Sequence, residues 1–152
     1  MIPLHLPPAE LKFRKGQNIR AEVFDMVRNR FVTLTPEEWV RQHVIHYLVK
    51  HKHYPASLLS VEVSLSYNRL RKRSDIIVYN AKGEPRMIIE CKAPDVEVTE
   101  KVLEQAAMYN RSLKVPYLFL TNGLTHFTCR IGGNGDPEFL TELPDYSEMA
   151  NG

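Results

Sequence analysis

Two strand-like runs, Arg86 to Lys92 and Pro116 to Thr121, are separated by a segment with helical character that starts at a Thr99 cap and ends near Leu113. A helix of that length between two strands is a crossover, not a hairpin loop, so it commits the chain to a mixed sheet with helices packed against it. Upstream, Leu59 to Leu65, Asp75 to Tyr79 and Arg86 to Lys92 read as three strands, the last two joined as a hairpin by Asn80-Ala81-Lys82-Gly83-Glu84-Pro85. Downstream, His126 to Ile131 adds a strand after the Asn122-Gly123 turn.

A first helix is predicted from Thr35-Pro36-Glu37-Glu38 to about His53. Thr35 suits the N-cap, Pro36 the first helical position and Glu38 the capping-box position. Val40, Val44, Tyr47 and Leu48 recur at helical spacing and are expected in the core, while Glu38, Arg41, Gln42 and Ile45 form a neighbouring stripe. The order helix, three strands, helix, two strands predicts an α/β fold with a mixed central sheet flanked by helices. Residues 1–34 are expected as an arm or small hairpin packed on the core, 35–145 as the core and 146–152 as an acidic tail, all in one domain.

No apolar run is long enough to span a membrane, and the N-terminus lacks the basic start and apolar stretch of a secretory signal, so the cytoplasm is the expected location. Cys91 and Cys129, with no CxxC spacing, indicate neither a disulfide framework nor a zinc ribbon. The formal net charge of +2 hides an asymmetry. Asp136, Glu138, Glu142, Asp145 and Glu148 give the end of the chain a charge of about −5 with no Lys or Arg after Arg130, leaving a basic body of about +7. Arg69-Leu70-Arg71-Lys72-Arg73 concentrates that charge just before Asp75. Arg71, Lys72 and Arg73, with Arg41 on the first helix, are the candidates to meet a phosphate backbone; a solvated turn is the alternative for such a run.

Chemistry converges on the predicted hairpin. Side chains alternate along Met87-Ile88-Ile89-Glu90-Cys91-Lys92, which gives Glu90 and Lys92 one face and the apolar Ile89 and Cys91 the other. Asp75 opens the preceding strand, and in an antiparallel pair the start of one strand lies beside the end of the next. Two carboxylates brought together repel unless a cation joins them, and such oxygen ligands suit Mg²⁺ or Mn²⁺ with waters completing the octahedron. The Cys91 carbonyl could add a ligand. Lys92 beside the ion could orient or deprotonate a water and offset charge on phosphorus.

Ser74-Asp75, fourteen intervening residues and Glu90-Cys91-Lys92 resemble the PD-(D/E)xK nuclease motif, with Ser74 in place of the proline. Gln105-Ala106-Ala107-Met108-Tyr109 resembles the QxxxY element of RecB-like nucleases, which implies that Gln105 and Tyr109, four apart on one helical face, serve the site; core packing is the alternative for Tyr109. Over about residues 20–145 the chain is similar to the N-terminal nuclease domain of type I restriction enzyme R subunits and its stand-alone relatives. Leu34-Thr35-Pro36-Glu37-Glu38-Trp39-Val40-Arg41-Gln42, Ile89-Glu90-Cys91-Lys92-Ala93-Pro94 and Tyr117-Leu118-Phe119-Leu120-Thr121-Asn122-Gly123 carry that likeness. The resemblance implies a restriction-endonuclease-like αβββαβ core, DNA as substrate, a divalent metal, an extra acid at Glu38 and a place in a larger restriction or repair assembly.

No GxxxxGK[ST] occurs, so no ATP site is expected, and Gly132-Gly133-Asn134-Gly135 reads as a loop or turn. His43, His46, His51 and His53 could suggest another metal site, but helix-surface or half-buried packing explains them better. Cys91 reads as a small core hydrophobe rather than a nucleophile. Glu62 reads as a solvent-facing strand residue. The alternative to an enzyme is a non-catalytic nucleic-acid-binding or assembly module that retains the nuclease fold.

Overall fold

The computed structural model describes residues 1–17, 19–132 and 134–151, without the side chains of Arg71 and Lys72. The chain runs β1 (Phe13–Lys15), β2 (Ala21–Asp25), β3 (Arg30–Thr33), α1 (Pro36–His46), β4 (Leu59–Tyr67), β5 (Leu70–Tyr79), β6 (Pro85–Cys91), α2 (Glu100–Leu113), β7 (Tyr117–Thr121), β8 (His126–Ile131), β9 (Pro137–Leu140) and α3 (Tyr146–Asn151). Six strands form the central sheet in the order β4-β5-β6-β7-β8-β9. It is a mixed sheet: α2 carries the chain from β6 to a parallel β7, and the other neighbours are antiparallel.

Helices cover the sheet. On one face Val40, Val44, Ile45 and Leu48 pack with Val61, Ile76, Val78, Met87, Ile89 and Cys91; on the other, Leu103, Ala107 and Leu113 of α2 pack with Ile88, Leu118 and Leu120. Each fully buried Ile or Leu contributes roughly 1.5–3 kcal/mol relative to exposure. Thr35 caps α1, accepting the Glu38 N–H at 3.0 Å, and Thr99 caps α2, accepting the Val102 N–H at 3.3 Å. Among the described residues no helix is long and apolar enough to cross a membrane.

Several boundaries differ from expectation. The first helix gives way at Tyr47–His51 to a π-helical turn instead of running unbroken to His53, which takes a positive φ of 63°. Its second stripe is buried with the first: Ile45 and Gln42 have no exposure, and Glu38 and Arg41 have 4% each. The first 34 residues supply a three-stranded antiparallel sheet, β1-β2-β3, and not only a hairpin. This N-terminal region is fastened to α1 through Trp39, whose indole N–H donates to the Ile2 carbonyl at 2.8 Å between Phe13 and His43. Near the C-terminus α3 seats Met149, fully buried, in the core. Gly133 lies outside the described residues; around it the Gly135 N–H donates to the Gly132 carbonyl at 2.8 Å and closes a turn.

Strand β5 is longer than the predicted Asp75–Tyr79, because its first half pairs with an equally extended β4, from Tyr67↔Leu70 to Val63↔Ser74. Asp75 therefore sits within a strand instead of opening one. The register is unbroken from Tyr67↔Leu70 to Leu59↔Val78, but the facing pair Glu62 and Asp75 is not bridged, and Glu62 has φ +54°, rare in a strand. The irregularity turns the strand over: Val61 packs in the α1 core and Leu65 against the α2 core, although an unbroken strand would put both odd-numbered residues on one face.

Candidate active site

Asp75 lies at the centre of this irregularity. The register Ile76↔Ile89, carried one residue further, sets it opposite Glu90 on β6, and on its other side it faces Glu62. Its two oxygens are both engaged. Oδ1 accepts from Arg41 Nη2 at 2.9 Å, and Oδ2 accepts the Cys91 backbone N–H at 2.8 Å. Asp75 is thereby turned toward α1.

Glu90 has different surroundings. Its neighbours Ile89 and Cys91 belong to the α1 core and Ile88 to the α2 core, so alternation gives Glu90 the α2 side, and its Oε1 has no solvent contact. Backbone pairing thus brings Asp75 and Glu90 opposite one another, and the negative charge of both is felt at the Cys91 thiol between them. Lys92 follows the end of β6, its N–H donating to the Thr121 carbonyl at 2.8 Å. Its side chain is exposed, and its charge is felt at Glu37.

The acid that α1 contributes to Asp75 is Glu37, which sequence reasoning passed over in favour of Glu38. Burial and the adjacent Asp75 push the Glu37 carboxyl above its usual range, against the pull of Arg41 and Lys92. Glu38 instead accepts from Arg28 Nη2 and Arg41 Nη1, both at 2.7 Å, and from Gln42 Nε2 at 3.1 Å. Two guanidinium groups already neutralise it, which leaves it a poor candidate for a metal. The i,i+4 spacing of Glu37 and Arg41 was the available signal, because it predicts the 2.9 Å ion pair that places Glu37.

Arg41 is also not the surface cation expected. Its side chain is 5% exposed and lies among Glu37, Glu38 and Asp75 at 2.7–2.9 Å, with Glu62 at 3.8 Å, so it does not present itself to a phosphate backbone. Burial alone would weaken its hold on the proton, but Glu38 and Asp75 outweigh that and raise it. Arg28 and Asp25 extend the network. Asp25 is fully buried and accepts from the Val27 and Arg28 N–H groups, Arg28 Nε and Gln42 Nε2, each at 2.8 Å. Nothing in the local sequence pattern distinguished Asp25 or Arg28 from turn residues.

Gln105 and Tyr109 lie on the outer side of α2, both exposed, Tyr109 by 36%. The inner side is Leu103, Ala107, Asn110 and Leu113. Val102 on the same side is 39% exposed, whereas Ala106 packs against the α2 core. Arg73 is exposed and lies 3.6 Å from Glu62; the side chains of Arg71 and Lys72 lie outside the described residues. Cys91 is buried, and burial, then Asp75, pushes its thiol up, which fits an inert core thiol. Of the histidines, His43 is buried with its Nδ1 2.8 Å from the Trp39 carbonyl, His46 is half-buried, and His51 and His53 are exposed.

Among the described residues no three His, Cys, Asp or Glu side chains form a ready metal cage. Magnesium and manganese sites do not need one, since one or two carboxylates with waters suffice. The donor chemistry fits such an ion. Carboxylates outnumber guanidinium groups around Arg28 and Arg41, and Glu37 and Asp75 share a single cationic nitrogen, Arg41 Nη2.

A family model described as Type I restriction enzyme R protein N terminus matches residues 36–144. A 63-residue stretch is 38% identical to the type I restriction enzyme EcoAI endonuclease subunit of Escherichia coli, covering 41% of this chain and 8% of that protein. Among solved structures, a fragment classed as an HsdR subunit of a type I restriction enzyme from Vibrio vulnificus superposes with a TM-score of 0.55 at 18% identity, over 78% of this chain and 25% of that one. A protein from Anabaena variabilis classed as a DUF820 nuclease gives 0.48 at 17% identity over 87% and 85%, too slight a likeness to build on. The chain thus spans a small part of the length of its restriction-enzyme relatives.

Proposed function

The chain belongs to the family of type I restriction enzyme R protein N-termini, and from that premise we propose that it is a metal-dependent deoxyribonuclease acting through Asp75, Glu90 and Lys92. The observation that carries this reading is the strand register that sets Asp75 opposite Glu90, with Lys92 two residues on and Glu37 approaching from α1.

In this reading Asp75 and Glu90 hold Mg²⁺ or Mn²⁺, the Cys91 carbonyl is a further oxygen donor, and Glu37 takes the role first given to Glu38. When bound, the ion supplies Lewis acidity and a more acidic water. Lys92 orients the attacking water and offsets charge on the phosphoryl oxygens. Gln105 and Tyr109, exposed on α2, reach for a substrate phosphate. Arg71, Lys72 and Arg73 lie on the paired ends of β4 and β5, a two-stranded ribbon of a width that the major groove of a DNA duplex accepts. A larger restriction or repair assembly is the proposed partner.

The test incubates the purified chain with supercoiled plasmid, linear duplex and single-stranded DNA, with and without Mn²⁺. Metal-dependent cleavage by the wild type, reduced at least about a hundredfold in Lys92→Ala, is expected. Equal and intact DNA from both proteins, with DNA binding retained, would instead favour a non-catalytic binding module.

A further inference from the structure

Arg41 Nη2 donates to Glu37 Oε1 and to Asp75 Oδ1, each at 2.9 Å, so one nitrogen bridges two carboxylates. The other terminal nitrogen, Nη1, is anchored on Glu38 Oε1 at 2.7 Å. The guanidinium is nearly excluded from water, and its Nε is buried with no hydrogen-bond partner. A buried N–H without an acceptor is costly, so this pose is satisfied on the side of the carboxylates and unsatisfied elsewhere. The same hydrogen bond turns Asp75 toward α1 and away from the side that strand alternation gives Glu90.

We propose that Arg41 is a positioning residue that stands in for the metal's charge: it holds Asp75 and Glu37 while no ion is bound and is displaced from Asp75, pivoting on Glu38, when a divalent cation binds. The inference rests on the metal-dependent reading above and goes beyond it, because it makes metal affinity a contest between an ion and a side chain of the same protein. Two cations cannot share the Asp75 Oδ1 position without repulsion, so binding the ion costs the Arg41–Asp75 hydrogen bond. Glu38, which does not touch Asp75, keeps the arginine within reach for the return. Arg28 supplies a control, since it carries the same charge within the same network, on Asp25 and Glu38, but does not bond Asp75.

The test is Mn²⁺ affinity, measured by titration calorimetry without DNA, for wild type, Arg41→Gln, Arg28→Gln and Asp75→Asn. The expected result is about tenfold tighter binding by Arg41→Gln, a change within about twofold for Arg28→Gln, and loss of binding in Asp75→Asn. Unchanged or weaker binding by Arg41→Gln, with Asp75→Asn still defective, overturns the place-holder and leaves the metal reading standing. Wild-type affinity in Asp75→Asn overturns the metal reading itself at this position. Should Arg41→Gln or Arg28→Gln fail to fold, the wild-type chain decides the matter: the Arg41 guanidinium NMR resonance moves on adding Mg²⁺, does not move in Asp75→Asn, and a resonance indifferent to Mg²⁺ in the wild type sinks the proposal.

Discussion

Asp25 shows how strongly this network depends on single charges. Burial alone would raise its carboxyl, but hydrogen bonds from the Arg28 backbone and side chain and from Gln42 prevail and hold it below its ordinary value of 3.8. An acid depressed in the folded state stabilises the fold above its unfolded value, and that contribution disappears as pH falls through the folded value. Urea midpoints of the wild type should therefore drop as pH falls below about 4, and Asp25→Asn should flatten that dependence while costing about 3–5 kcal/mol at neutral pH. The antiparallel pairing that sets Asp75 opposite Glu90 was legible in the sequence because period-2 alternation and hairpin pairing follow from local pattern. Arg41 was legible only as a cation. Its burial depends on Glu37, Glu38 and Asp75 arriving from two elements, which no local pattern encodes.

At the scale of elements, the irregularity at Glu62 lies directly across the strand pair from Asp75. A non-glycine residue at φ +54° carries about 1 kcal/mol or more of strain, and the contacts Glu62 makes to Arg28, Arg41 and Arg73 at 3.5–3.8 Å are long and partly exposed. Glu62→Gly should accordingly leave stability unchanged or raise it by up to about 1 kcal/mol, whereas Glu62→Val, whose branched side chain disfavours that conformation, should cost about 1–3 kcal/mol by urea unfolding. The central strands, both long helices and the two Thr caps could be read from the chain, since periodicity and capping chemistry are local. The length of β5 could not be read, because Arg71, Lys72 and Arg73 look like a turn until β4 is seen to pair with them. A loss of about 1 kcal/mol in Thr35→Ala would confirm that the cap holds the first turn of α1, and with it Glu37.

For the molecule as a whole, the C-terminal segment is built into the core. Tyr54 donates to the Pro144 carbonyl at 2.8 Å, and Met149 lies buried among residues of the α1 face. Met149→Ala should cost about 2–5 kcal/mol in chemical denaturation, whereas an acidic tail in solvent would register nearly nothing. Acids interspersed around Leu143 and Met149 masked this segment, because two apolar residues six apart make no recognisable period. The N-terminal sheet was under-read for a related reason: its strands are three to five residues long, too short for alternation to stand out. Its attachment to α1 runs through Trp39, the single tryptophan of the chain. Every photon of indole emission therefore reports from the seam between the N-terminal segment and the helix that bears Glu37. A red shift in that emission ahead of the loss of far-ultraviolet ellipticity would register the N-terminal segment peeling away while the central sheet still stands.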